Sequence, residues 1–191
     1  MKRIVIILIT ILFFNCSKEN KSSVKYVNHT IEFLNWNLNI PENYIPLSFD
    51  EYQNIISKNF TDSITISNKI SKIEVLNNNI DGPYKFFCDK NNIDNTLIII
   101  KMLNQIPNKY LKSKIALEVH SDFRKKAKTQ GFIYKPLENK LINNWLIKIK
   151  GEKEYIETGK SIFNTVYYSN NFGAVITSNN KDLDFEKELT E

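Results

Sequence analysis

The sequence predicts an α+β fold: an antiparallel sheet of about five to seven strands, helices packed on one face, and a helix at the C-terminal end. Three observations predict it. Short segments with period-two apolar alternation recur from Tyr26 onward. One long stretch, from about Asn108 to Gln130, instead repeats apolar residues at every fourth position. The segment Leu141 to Lys150 sets Trp145, Ile147 and Ile149 on one side and Lys148 and Lys150 on the other, the pattern of a half-solvated antiparallel strand.

The elements follow in order. Val27, His29, Ile31 and Phe33 line one side of a first strand, and Trp36, Leu38 and Ile40 one side of a second, which Pro41 closes. Glu42 to Ile45 read as a loop between two prolines. Ser48-Phe49-Asp50-Glu51 then forms a capping box for a helix through about Lys58 that buries Phe49, Tyr52, Ile55 and Ile56. From Ser63 to Asn79 both periods are present: Ile66, Ile70 and Ile73 recur at helical spacing, while Ile64/Ile66 and Ile73/Val75 alternate. A helix beginning near Asn68 is the expectation. Asp81-Gly82-Pro83 is a turn before strands Tyr84 to Cys88 and Thr96 to Met102, and the unalternating Leu97-Ile98-Ile99-Ile100 marks the second as central, covered on both faces. In the long helix Leu111, Ile115, Val119 and Phe123 form the buried stripe, with Ala116 and Ala127 beside them. Arg124, Lys125, Lys126 and Lys128 then meet the negative end of its dipole ahead of a left-handed Gly131. Strands Ser161 to Tyr168 and Ala174 to Thr177 flank a hairpin at Ser169 to Gly173. A last helix, about Lys181 to Leu189, lays Leu183, Phe185 or Glu186, and Leu189 over the sheet.

Ahead of these elements stand Lys2 and Arg3, an unbroken apolar run from Ile4 to Phe14, and Cys16. The run is shorter than the roughly 20 residues that cross about 30 Å of hydrocarbon. No A-x-A-like cleavage site follows it. This layout resembles the signals of bacterial lipoproteins, although Asn15, Phe13 and Phe14 stand where a small residue is usual. The resemblance implies a signal peptide over residues 1–15, acyl chains such as palmitate on Cys16, a flexible tether over 16–25 and a single α+β domain over 26–191. It places the chain in the cell envelope, with the outer membrane preferred, its partner being the membrane through the chains on Cys16. Two or more acyl chains, at about 0.8 kcal/mol per buried CH₂, hold a protein at a bilayer where one does so only marginally.

The order of elements, the approach Ile40-Pro41-Glu42-Asn43-Tyr44 and the hairpin Tyr167-Tyr168-Ser169-Asn170-Asn171-Phe172-Gly173 are similar to the PsbP-like superfamily of small α+β sandwiches. That likeness implies a non-catalytic binding or assembly role and transfers no functional residue.

Charge and cysteine content bound the rest. Losing Lys2 and Arg3 with a signal would take the net charge from +5 to +3, too mild a balance to point to nucleic acid. Cys88 lies in an apolar strand-like run and reads as a small buried thiol. Glu118, His120 and Asp122 follow one another at steps of two, which on a helix point about 200° apart and cannot converge on a metal; His120 reads as a surface or boundary residue. Asp89 to Asp94 begins like a calcium loop but places Ile93 where an oxygen is needed and lacks the turn glycine, so it reads as a polar hairpin loop. No Gly-x-Ser-x-Gly elbow or phosphate-cradling glycine loop is present, and neither a cofactor nor a metal site is expected. The pairs Asp50/Glu51 and Glu152/Glu154 stay open as carboxylate candidates. Trp36, Tyr44, Tyr155, Tyr167, Tyr168 and Phe172 are either core or interface aromatics. The expected function is that of a membrane-anchored lipoprotein that binds an unidentified protein or small molecule. Two alternatives stand beside it: a small envelope hydrolase whose site assembles in three dimensions, and an immunity protein neutralising a toxin.

Overall fold

A computed structural model describes residues 24–63, 66–67, 69–70, 74, 77–78, 80, 82–101, 108–169, 173–181 and 183–190. The expected signal, Cys16, the tether through residue 23 and Phe172 lie outside them. Strands β1 (Tyr26–Ile31) and β2 (Trp36–Pro41) form a separate antiparallel pair, turned by the 3₁₀ segment Glu32–Leu34 and by Asn35 at a φ of 50°. Their period of two sends Ile31, Leu38 and Ile40 inward. Outward, Asn28 bonds Asn39 and Thr30 bonds Asn37 across the pair.

The main sheet comprises β3 (Tyr44–Pro46), β4 (Tyr84–Asp89), β5 (Asn92–Lys101), β6 (Phe132–Ile142), β7 (Leu146–Tyr155), β8 (Ser161–Ser169) and β9 (Ala174–Asn180). In space they lie in the order β3-β4-β5-β9-β8-β7-β6, with every neighbouring pair antiparallel. The apolar run of β5 is central as expected: Leu97 and Ile99 face one side and Ile98 the other, all buried.

Two long helices cover one face. Helix α1 (Phe49–Asn59) seats Phe49, Tyr52 and Ile56 on Phe86, Cys88 and Ile98. Helix α2 (Lys109–Gln130) seats Ile115 and Ala116 on Ile147 and Ile149, with Leu111 and Val119 alongside. The β1–β2 pair and the short helix α3 (Glu186–Thr190) cover the opposite face, where Phe185 and Leu189 join Tyr44, Phe87, Leu97, Ile99 and Tyr167. No helix among the described residues is long and apolar enough to cross a membrane.

Several expectations are corrected. The stretch Glu42 to Ile45 is not wholly loop, since Tyr44–Pro46 pairs with Phe87–Asp89 as a short edge strand, where a proline is tolerated. Leu141 to Lys150 is not one strand. Asn143 and Asn144, at φ of 50° and 59°, turn the chain so that β6 and β7 form a hairpin, and Trp145 joins the opposite core from Ile147 and Ile149. Asparagine tolerates the left-handed region, and two such residues in succession match the twist of a hairpin. Between residues 63 and 78 every described position is helical from Ser63, before the expected start near Asn68, which itself lies outside the described residues.

β6 is an edge strand whose register shifts between Pro136 and Glu138. Its exposed residues include Lys135, Pro136, Leu137 and Lys140.

The caps read from sequence are present. Glu51 N–H donates to Ser48 Oγ at 3.1 Å, and Ser48 N–H donates to the Glu51 carboxylate at 2.7 Å. Gly131 ends α2 at a φ of 65°, and the structure adds a cap at its start, where Asn108 Oδ1 accepts from Leu111 N–H at 2.8 Å. Replacing Ser48 by Ala removes one side of this reciprocal pair. Urea denaturation should show a loss of about 1 kcal/mol, with no change in the slope of the transition.

Candidate functional site

Among the described residues, the buried group with the most ionic partners is Lys148, on β7. The sequence pattern placed it in solvent, and the structure overturns that: its side chain is 3% exposed. Lys148 lies on the face opposite α2, beside Tyr167 of β8. Its Nζ donates to Asp184 and to Glu186, both at 2.6 Å, and lies 3.1 Å from Glu138. Lys140 pairs with Glu138, and Lys150 stands 3.7 Å from Asp184. Tyr167 donates its hydroxyl hydrogen to Asp184 at 2.6 Å and accepts from Phe185 N–H at 3.1 Å. A buried ammonium costs several kcal/mol unless it is paired and hydrogen-bonded, and here carboxylates from β6 and the C-terminal segment meet that requirement.

The electrostatics of this centre follow. Burial lowers the affinity of Lys148 for its proton, but hydrogen bonds to Asp184, Glu186 and Glu138 outweigh it and raise the pKa above the ordinary lysine value. For Asp184, burial acts upward, yet the bonds from Lys148, Tyr167 and Glu186 N–H hold the carboxyl below its usual range. Glu138 is lowered likewise by Lys140 and Lys148 against its own burial. Lys148 is therefore a fixed cation. A lysine acting as base or Schiff-base nucleophile needs the opposite shift.

A second polar centre ties α2 to β6. His120, expected at the surface or its boundary from its place on the flank of the helix, is buried, at 7% exposure. Its Nδ1 lies 2.7 Å from Tyr134 Oη and its Nε2 2.8 Å from Asn139 Oδ1. An amide oxygen can only accept, so Nε2 is the donor to Asn139, while Nδ1 is bonded to the tyrosine hydroxyl. Burial pushes the Tyr134 phenol up to about 12, keeping it protonated. The Tyr134 ring stacks on Phe123 at 5.1 Å and lies over Gly151, where a Cβ would overlap its hydroxyl end. The glycine is there because the ring occupies its side-chain space.

The remaining candidates are placed as follows. Cys88 is buried as expected, and burial, followed by the charges of Asp89 and Asp94, pushes its thiol up to about 12. His29 meets Phe87 edge-on at 5.0 Å, and burial with Lys85 lowers its pKa. Asp89 to Asp94 spans the β4–β5 hairpin, which turns at Lys90 and Asn91, with Asp89 accepting from Asn91 N–H and the Asn95 amide. Among the described residues no group of three or more His, Cys, Asp or Glu could hold a metal ion. Of the aromatics, Tyr44 and Tyr167 are fully buried, Trp36 packs against the same core and Tyr168 against the α2 core. Arg124, Lys125, Lys126 and Lys128 are exposed at the end of α2, with Lys126 paired to Asp122. An open cleft of about 360 Å³ lies beside the start of α1, lined by Pro46, Ser48, Glu51, Tyr84 and Lys85 among others. Its hydroxyl and carboxylate are those of the capping box, and Lys85 faces Glu32 at 3.4 Å.

Sequence reading missed Lys148, Glu138, Tyr167 and Asp184 as a unit. Asp184 and Glu186 are 36 and 38 residues from the lysine they surround, and no local pattern joins them. The one available signal was a pair of acids flanking Phe185 in a segment otherwise expected to dock by apolar contact.

Two predictions follow from these geometries. Gly151→Ala should cost about 1–3 kcal/mol by overpacking, and most of that penalty should vanish in a Tyr134→Ala background, as a double-mutant cycle in urea would show. The native carboxyls of Asp184 and Glu138 titrate below their unfolded values. Their contribution to stability is therefore full above about pH 5 and is lost as pH falls through the depressed native values. Urea midpoints between pH 6 and pH 2.5, approximate limits set by those carboxyl values, should fall more steeply for the wild type than for Lys148→Met. Compared with known protein families, curated proteins and solved structures, the chain finds no match.

Proposed function

We propose that the chain is a cell-envelope lipoprotein, held at a membrane by acyl chains on Cys16, whose α+β domain acts by binding a partner rather than by turning over a substrate. The observation that carries the reading is the N-terminal series of Lys2, Arg3, the apolar run Ile4 to Phe14 and Cys16. A tether over residues 16–25 would let the folded part stand off by at most roughly 35 Å. The likeness of the Ile40 to Tyr44 approach and the Tyr167 to Gly173 hairpin to the PsbP-like superfamily supports a binding or assembly role.

Support for the binding half comes from where the reactive side chains spend their hydrogen bonds. Lys148 is ringed by carboxylates, both His120 nitrogens are engaged, Ser48 caps a helix, and Cys88 is a buried thiol of raised pKa. Each of these groups is committed to holding the fold. The large apolar residues Tyr110 and Leu117 on α2, Ile133 and Leu137 on β6, and Ile156 just beyond β7 are exposed and open to contact with a protein partner. The same residues favour the immunity-protein reading as the second choice, since that role needs a surface able to cover a toxin.

Cys16→Ala should leave the far-ultraviolet circular dichroism unchanged and move the protein from the membrane to the soluble fraction. Mass spectrometry of the native product should show acyl mass on a mature chain beginning at Cys16. An unmodified Cys16 behind an intact leader, with the protein still in the membrane fraction, would overturn the anchoring.

A further inference from the structure

We infer that the C-terminal strap, residues 183–190, is a displaceable internal ligand. The groove beneath it then binds a partner protein segment in which an aromatic residue lies between two carboxylates. The inference deepens the binding half of the proposed function and is independent of the anchor.

The strap is attached almost wholly through side chains. Asp184 and Glu186 hold Lys148, Asp184 also accepts from Tyr167, Phe185 packs edge-on against Tyr44 at 6.2 Å, and Leu189 is buried in the same core. Among the described residues it makes no ladder bond to the sheet. The strap's backbone meets strand side chains at Phe185 N–H to Tyr167 Oη near the groove centre and at Leu183 N–H to Asn180 Oδ1 at its start. The floor is complete without it: β7, β8 and β9 pair with one another through Lys148, Tyr167 and the residues on either side. A five-residue helix is too short to persist unaided, so α3 exists only while docked.

Charge says what can replace it. Without Asp184 and Glu186, the groove holds Lys140, Lys148 and Lys150 against Glu138 alone. With the strap displaced, Lys148 keeps Glu138 and gains water, and Lys140 and Lys150 lie close by, so the emptied groove is a net-positive seat that favours an anionic occupant. The apolar seats of Phe185 and Leu189, lined by Tyr44 and Tyr167, demand that the occupant carry an aromatic group between its charges. The bond from Phe185 N–H to Tyr167 is one that a backbone N–H beside the aromatic residue of a peptide occupant would restore. The strap itself competes at high effective concentration, so a partner gains access in proportion to the population of the open state.

The test uses the full-length chain and a labelled, terminally blocked peptide with the sequence of residues 183–190. In the variant Asp184→Asn/Glu186→Gln, the amides of Phe185 to Leu189 should exchange at least about tenfold faster relative to those of β7 to β9 than in the wild type. By fluorescence anisotropy the peptide should bind that variant at least about tenfold tighter than the wild type. A peptide carrying the same two neutral substitutions should not bind. Strap amides that exchange only in step with the sheet, or a double variant that loses the whole fold, would show the strap to be integral and overturn the inference. So would an opened strap with no peptide binding, equal affinity for wild type and variant, or equal binding of the neutral peptide. The anchoring reading would stand in any of these cases, because it is decided by the modification of Cys16.

Discussion

A lysine ammonium placed inside the fold is the constraint around which one whole face of the molecule is arranged. Lys148 sits on a central stretch of β7, and once strand pairing puts it there the surroundings must supply negative charge. β6 answers through its register shift between Pro136 and Glu138, which aligns Glu138 with Lys150 and within reach of Lys148. The chain beyond β9 answers with Asp184 and Glu186 and in doing so brings Phe185 and Leu189 onto the tyrosine-lined core. Ionic pairing and apolar burial are thus coupled here: the acids position the hydrophobic anchors, and the anchors keep the acids out of bulk water.

The other face is held by different physics. There α2 meets β6 through hydrogen bonds of His120 with Tyr134 and with Asn139, set in an otherwise apolar contact of Ile115, Ala116, Ile147 and Ile149. Every atom of the imidazole that can hydrogen-bond does so, and the absent side chain of Gly151 makes room for the tyrosine ring. The two faces therefore differ in how they can yield: the helix side by repacking, the strap side by losing or exchanging carboxylates.

What was legible in the sequence was local. The capping box at Ser48 and Glu51, the stripe of α2 with Gly131 behind it, the apolar run of β5 and the alternation of β1 and β2 all depend on residues within a few positions of one another. The hairpin at Asn143 and Asn144 was missed because alternation reads through a turn when the flanking residues keep the period, and two asparagines are a quieter signal than a glycine. The burial of His120 and Lys148 was missed for the opposite reason. A polar residue on an element looks solvated until a distant segment covers it, and Tyr134, Asn139, Asp184 and Glu186 reach them only through the topology of the sheet.

The border of the main sheet has one further consequence. At one end β3 is only three residues long, and at the other the long outer strand is interrupted by a proline, an offset in pairing and flanking lysines. An approaching chain would find a template too brief on the first side and broken on the second. Edge-to-edge pairing between copies of the main sheet is thereby discouraged at both rims.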